Sequence, residues 1–429
     1  MSAQIKPTSQ LSGLEITLPI GGKWVTEARS SALKRLRSMG LPTRRDEYWK
    51  FTRPDQLTEV EAKPAAILVT DEAPVFGEID RLKLVFVDGV FDATQSDPMI
   101  LEYVEIETLA DAASRDIHWV RDLFGALEHR GQSPVARPLA ALNTATAEQG
   151  VVIRVTGPAP RPISLIYQRK AENSDATVHN VIRVEKTGVL TLLENGPAAA
   201  RMNLVMEVDI AEGGRFNHIR TQGRDHERRA AAHIFARLDR ESQFKSFSLT
   251  VNGALTRNEC VIELLGDDAH ATISGASVGD GASGEYHQDD TVFITHDALN
   301  CESRQVFKKV LRNGATGVFQ GKILVKQHAQ KTDGYQLSQG LMLDDDSRFL
   351  AKPELEIYAD DVVCSHGATV GAIDDGALFY LMSRGVPRAQ AVDMLVLAFL
   401  AEALEEIEGD AIRADLHDRL QAWIERHSS

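Results

Sequence analysis

Val151-Val-Ile-Arg-Val155, Ile163-Ser-Leu-Ile-Tyr167, Val181-Ile-Arg-Val184 and Val189-Leu-Thr-Leu-Leu193 are short runs dominated by β-branched and aliphatic residues, separated by stretches holding Gly, Pro, Asn or Asp. Successive side chains of an extended chain point to opposite faces, so such runs read as strands with at least one buried face. The texture continues at 203–210, 231–238, 246–251, 260–265 and 291–295. Turn residues punctuate it at Gly188, Gly196, Gly213-Gly214, Gly223, Asn252-Gly253, Gly266 and Gly275. Roughly 200 residues of short strands, from about 150 to 365 and without a long helix, predict an all-β region. Sandwich, barrel and β-solenoid all satisfy this pattern, and no strict short repeat selects the solenoid.

The flanks differ. Before the β region, helical patterns cover 25–39, closed by Gly40 and Pro42, and 116–129, closed near Gly131. A strand, Lys83-Leu-Val-Phe-Val87, runs into the turn-forming Asp88-Gly89, so the N-terminal region reads as a mostly helical α+β unit. After the β region, Asp374-Asp375 opens a helix through Phe379 and Met382 that Gly385 stops. Pro387 suits the first turn of a second helix, which carries Val392, Met394, Leu395, Val396, Leu397, Phe399 and Leu400 and ends at Gly409. A third, amphipathic helix covers 411–427. A helix apolar nearly all round needs cover on every side, from the β region or from a partner protein.

A net charge of −15 argues against non-specific binding to nucleic acid or to anionic membranes. The basic stretch Lys34, Arg35, Arg37, Arg44 and Arg45 reads as a solvated helix face. The N-terminal MSAQIKPTSQLSG lacks the apolar core of a secretory leader, and the longest apolar run, 394–401, falls well short of the roughly 20 residues that span a bilayer. The expectation is a cytoplasmic chain. Three cysteines, Cys260, Cys301 and Cys364, without CxxC spacing, make a disulfide framework improbable and fall short of the four thiolates that usually hold a cluster within one chain.

Several motif matches fail on context. Gly279-Asp-Gly281-Ala-Ser-Gly284 fits G-x-G-x-x-G, but a strand-like segment follows it where a dinucleotide site needs a helix. Gly317-Val-Phe-Gln-Gly321-Lys322-Ile323 has three residues between its glycines, and Ile323 stands where a phosphate loop has Ser or Thr. The chain therefore carries no nucleotide-hydrolysing motif of its own. His287 and His296 flank Asp289 and Asp290, a set of metal-ligating types better read as structural or surface residues. Asp344-Asp345-Asp346 reads as a solvated turn.

Cys364-Ser365-His366 is the one pairing with sharp chemistry. If a strand runs through it, residues 364 and 366 share a face. A thiolate beside an imidazole can ligate a soft or borderline metal, can act as a nucleophile pair, or can be a buried structural cysteine next to a polar histidine.

Longer motifs decide among these readings. Lys331-Thr-Asp-Gly-Tyr-Gln336, Lys352-Pro-Glu-Leu-Glu-Ile-Tyr-Ala-Asp-Asp361, Cys364-Ser-His-Gly-Ala-Thr-Val-Gly371 and Leu378-Phe-Tyr-Leu-Met-Ser-Arg-Gly385 closely resemble the SufB/SufD family of iron–sulfur cluster assembly scaffolds. So does Arg45-Asp-Glu-Tyr-Trp-Lys-Phe-Thr52 near the N-terminus. The likeness spans about 45–400, and Ser365-His366-Gly367 is the SufD-type form of its segment. Gly334 and Phe51 stand where related chains carry other residues.

The resemblance implies a right-handed parallel β-helix, flanked by an N-terminal helical (α+β) region and a C-terminal helical region. The boundaries expected are 1–147, 148–370 and 371–429. It further implies a non-catalytic scaffold subunit of a SufB–SufC–SufD complex. Its β-helix pairs with SufB, its C-terminal helices dock the SufC ATPase, and ATP hydrolysis in SufC drives assembly. His366 then matches the interface histidine, a ligand or iron-entry residue, with Cys364 as the second donor. No cofactor is held stably by this chain alone. A nascent iron–sulfur cluster is shared transiently with SufB, and the resemblance admits a reduced flavin in the assembled complex. The alternative is a homodimeric or SufB-like scaffold that holds iron or a cluster without SufB.

Overall fold

A computed structural model describes residues 16–67, 73–196, 198–223, 225–282 and 284–426. The N-terminal stretch 1–13 read above for a leader, Ser283 of the Gly-rich segment, and His427 lie outside them. The N-terminal region contains α1 (Lys23–Met39), α2 (Asp55–Thr58), β1 (Leu82–Val87), β2 (Val90–Phe91), β3 (Val104–Thr108), α3 (Leu109–Ala113), α4 (Ala126–Arg130) and α5 (Pro138–Thr146). Strands then follow without an intervening helix: β4 (Val151–Val155), β5 (Ile163–Gln168), β6 (Asp175–Val184), β7 (Val189–Glu194), β8 (Arg201–Ile210), β9 (Arg215–Gln222), β10 (Arg229–Leu238) and β11 (Gln243–Val251). The series continues through β12 (Leu255–Leu264), β13 (His270–Asp280), β14 (His287–His296), β15 (Glu302–Arg312), β16 (Thr316–Val325), β17 (Thr332–Met342), β18 (Arg348–Ile357) and β19 (Val362–Gly371). Helices α6 (Asp375–Ser383), α7 (Arg388–Leu404) and α8 (Asp410–Arg426) close the described chain.

From β4 onward each strand pairs in parallel with the strand two places on, so alternate strands build two sheets. This is a β-solenoid, in which each coil lays one strand on each sheet. The advance per coil varies, from 26 residues between Arg183 and Asp209 to 32 between Asp280 and Arg312. A varying loop length under constant strand register leaves no fixed period in the sequence. Of the two glycine-rich segments, 279–284 spans the end of β13 at Asp280 and the loop before β14, which begins at His287, while 317–323 lies inside β16.

Inward-facing Ile153, Ile182, Met206, Ile234 and Ile262 stack coil on coil with Leu165, Leu192, Phe216 and Phe244 of the other sheet. The interior is not uniformly apolar. Glu194 accepts from the Tyr167 hydroxyl at 2.9 Å, from His218 at 2.7 Å and from Arg220 at 2.7 Å, all buried. Farther along, Lys309 reaches Asp290 at 2.6 Å. Buried charges are tolerated when each meets an opposite charge and a hydrogen bond.

The outer faces of the two sheets are covered differently. Leu123, Phe124, Leu127 and Ala140 of the N-terminal region pack on Val152, Val181, Val205 and Phe235 of the nine-stranded sheet. The helix expected over 116–129 is broken there. Gly125 adopts φ 71°, and the chain turns so that the Gly125 and Glu128 amides donate to Glu207 at 2.6 and 2.8 Å. On the ten-stranded sheet, Phe247, Leu249, Val278 and Val310 meet Val396, Leu400 and Leu404 of α7, and Leu416, Leu420 and Trp423 of α8. The chain's own sheet and α8 thus supply much of the cover that α7 needs, so its apolarity does not by itself call for a partner. Phe379, Tyr380, Met382 and Met394 nevertheless stay exposed. Among the described residues no helix is long and apolar enough to cross a membrane.

Candidate functional site at the open end of the solenoid

Strands β18 and β19 are the last strands of their sheets, so each carries one row of backbone groups without a strand partner. Such edges template pairing with another chain unless they are covered or blunted. Here each is ten residues long. Exposed apolar side chains sit beside them: Val363, Val370, Ile357 and Tyr358.

Cys364 and His366 both lie on β19, in register with Gly334 and Gln336 of β17. Residues in register on parallel strands share a face, and Gln336 is fully buried, bonded to Gln305 at 2.9 Å. Residue 366 therefore occupies the inward side of its strand, yet it is exposed because no further coil lies beyond β19. Among the described residues His366 has no hydrogen-bond or ionic partner, so both ring nitrogens are available. Cys364 is half-buried and packs with Ile323, Val325, Ala329, Leu355 and Val362. Gly334 makes room for it, since a Cβ at 334 would stand 3.1 Å from the Cys364 sulfur.

Burial pushes the Cys364 thiol above its ordinary pKa, against a smaller lowering by the Gly334 backbone. The thiol is thus protonated at neutral pH, which suits a ligand that a cation must deprotonate and does not suit a resting nucleophile. Iodoacetamide should accordingly modify Cys364 at pH 7 more slowly than an unperturbed cysteine, and the rate should climb through pH 9. Cys301 and Cys260, which burial drives up to about 11 and about 12, should react more slowly still. Mass spectrometry of tryptic fragments reads all three sites, and rapid neutral-pH labelling of Cys364 would contradict a protonated thiol.

Two sequence blocks about 300 residues apart meet beside this end. The Tyr48 hydroxyl bonds Glu354, Lys352 Nζ reaches Glu47 at 2.7 Å, and the same ammonium lies 4.0 Å from the Tyr48 ring centre. The segment 45–52 therefore braces β18. No pattern of spacing could have announced this contact.

The other candidate donors do not converge. Asp289 faces outward to Arg257 and Thr52, whereas Asp290 faces inward to Lys309. His287 bonds Thr52 at 2.9 Å and His296 bonds Ser303 at 2.8 Å. Asp344 accepts the Ser347 amide within its turn at 2.9 Å. The basic stretch read as one helix face is divided: Arg35 on α1 is paired with Glu128, while Arg44 lies beyond the helix. No cluster of three or more His, Cys, Asp or Glu side chains among the described residues is placed to hold a metal ion.

Fold and site together define a β-solenoid with helical ends and an open terminal coil that displays a histidine beside a half-buried cysteine. Residues 167–399 match the family model for the SufBD core domain of the SUF system of iron–sulfur cluster assembly. The chain is 29% identical to the iron–sulfur cluster assembly protein SufD of Escherichia coli over 407 residues, 90% of each chain. It is 25% identical to an iron–sulfur cluster assembly SufBD family protein of Synechocystis, covering 98% of this chain and 93% of that one. It is likewise 25% identical to SufD of Bacillus subtilis, with 92% of each covered. The chain belongs to the SufB/SufD family of iron–sulfur cluster assembly proteins.

Proposed function

We propose that this chain is the SufD-type, non-catalytic scaffold subunit of a SufB–SufC–SufD complex in the cytoplasm. Residues 148–370 form the part that pairs with SufB, 371–429 the part that docks SufC, and 1–147 a brace on the solenoid. The observation that carries this reading is the open end, where two unpaired ten-residue edges surround an exposed His366. A second solenoid can continue both sheets there through main-chain hydrogen bonds, while Val363 and Val370 supply apolar contact. The exposed Phe379, Tyr380, Met382 and Met394 offer SufC an apolar surface.

In this scheme the ATP chemistry belongs to SufC, and its hydrolysis cycle strains and opens the SufB contact. Iron reaches the interface and meets sulfur carried by SufB. His366 offers an imidazole nitrogen, and Cys364 gives up its proton only when a cation draws near. One or two donors from this chain make an incomplete shell, which suits a cluster that must leave again. A reduced flavin bound to the assembled complex completes the proposal as the family resemblance frames it.

Co-expression with SufB and SufC tests the partner assignments. A Val363→Lys/Val370→Lys variant puts charge on the exposed edge and should lose SufB while retaining SufC. Phe379→Asp should do the reverse. SufB recovery unchanged by the charged edge would overturn this interface. A wild-type chain that purifies alone with stoichiometric iron would favour the homodimeric scaffold instead.

A further inference from the structure

A cleft of about 330 Å³ opens between the N-terminal region and the nine-stranded sheet, away from Cys364 and His366. Its walls include Arg44, Lys50, Phe51, Arg53, His287 and Arg348. Arg44 comes from the loop after α1, Lys50 and Arg53 from the segment leading into α2, and Arg348 from the first position of β18. All four cations are exposed.

What sets them apart is that four cations without an ion pair line one cleft. Elsewhere cations find acids readily, as in Arg137–Glu259, Arg237–Asp209, Arg201–Asp175 and Lys322–Glu356. Acidic residues outnumber basic ones by 62 to 47. Yet Arg44, Lys50, Arg53 and Arg348 form no ion pair with any described residue. The carboxylate on the wall, Glu285, accepts from the Gln56 amide at 3.1 Å and faces none of them within ion-pair distance. His287 is fixed in the wall by Thr52 at 2.9 Å. Thr52 has one hydroxyl proton, which it gives to Asp289, so the ring nitrogen bonded to Thr52 is the donor.

Four like charges held on one concave surface repel each other, and an anion between them relieves that repulsion. Arginine forks bind phosphate oxygens with two parallel hydrogen bonds, and three of the four cations are arginines. The volume is at the small end of metabolite sites, which begin at about 300 Å³. A long polyanion would meet the acidic remainder of the surface and be repelled. We infer that this cleft, whose lining includes Arg348 of β18 but neither Cys364 nor His366, binds a small multivalent oxyanion of the diphosphate type.

Isothermal titration of the full chain with inorganic pyrophosphate, free of magnesium, tests this. One saturable site is expected at about millimolar ligand or below, weakening as salt screens the cleft. Arg53→Gln/Arg348→Gln alters two exposed side chains and should weaken binding by about tenfold or more. Arg121→Gln/Arg215→Gln removes two exposed cations from outside the cleft and should leave affinity unchanged. The inference fails if no saturable binding is seen, if the cleft variant binds like the wild type, or if the control variant loses as much.

Discussion

Replacing Glu259 by Gln is expected to lower the unfolding free energy by about 3–5 kcal/mol, the cost of stripping one partner from a buried ion pair. Glu259 lies on the outer face of β12, beneath the N-terminal region, and is almost wholly buried. It accepts from Arg137 at 2.9 Å and from Arg257 at 2.8 Å, with His233 3.9 Å away. Arg257 continues to Asp289, and its guanidinium lies 4.1 Å from the Trp49 ring centre. Arg137 stands 4.7 Å from the Phe293 ring centre. One carboxylate therefore ties the loop before α5, the 45–52 segment and two solenoid coils together. Glutamine keeps the shape but leaves Arg137 without a carboxylate and Arg257 with Asp289 alone. Glu263, four residues further along β12 on the same face, makes a fork to a half-exposed Arg130 at 2.7 and 2.9 Å. Glu263→Gln should cost less than about 1 kcal/mol. Urea unfolding followed through tryptophan fluorescence compares the two, and equal small losses would show that the buried cluster does not hold the N-terminal region in place.

The same cluster sets an acid limit. Burial pushes Glu259 up, but Arg257 and Arg137 outweigh it and hold the carboxyl at about 2. A depressed carboxyl stabilises the folded state fully above its unfolded pKa. That contribution is lost as pH falls from about 4.3 toward 2. Burial takes His233 down to about 4, ahead of the opposing pull of Glu259. The unfolded chain then binds a proton at His233 that the folded chain refuses, so stability also declines as pH falls from about 6.5 to 4.

The first strands of the solenoid are legible because their inward positions are largely aliphatic. In β4, Val151, Ile153 and Val155 all enter the core, and the run reads as a strand at sight. β9 passes unnoticed because its inward series is Phe216, His218, Arg220 and Gln222, polar groups satisfied by Glu194 and by the next coil. β15 and β17 hide for the same reason behind Lys309, Gln305 and Gln336. Alternation of hydropathy is a proxy for burial, and a lumen that carries paired charges defeats it. Coil lengths that drift between 26 and 32 residues erase the repeat, so the family motifs, and not periodicity, point to a solenoid. At the site, the shared face of Cys364 and His366 follows from spacing alone. Their unequal exposure does not, because it depends on where the last coil stops.

His366→Ala should abolish cluster maturation while leaving fold and partners in place, on the proposed reading of the open end. The side chain is exposed and has no hydrogen-bond partner among the described residues, so its loss should change stability by no more than about 0.5 kcal/mol. Alanine fits the strand and removes no apolar contact from the edge, so SufB and SufC should still co-purify in unchanged ratio. Cluster output, read as the iron–sulfur absorption of a reporter matured by the complex, should nevertheless fall by at least about tenfold, the scale of about 1.4 kcal/mol in a lost ligand bond. Cys364→Ser should act more weakly, because that thiol is half-buried and held protonated. The pair of variants separates ligation from packing. A serine hydroxyl nearly fills the space of the thiol beside Gly334, so any loss there reports on the sulfur as a donor. Normal cluster output from His366→Ala would remove His366 from the site. A complex that fell apart instead would make it a contact residue.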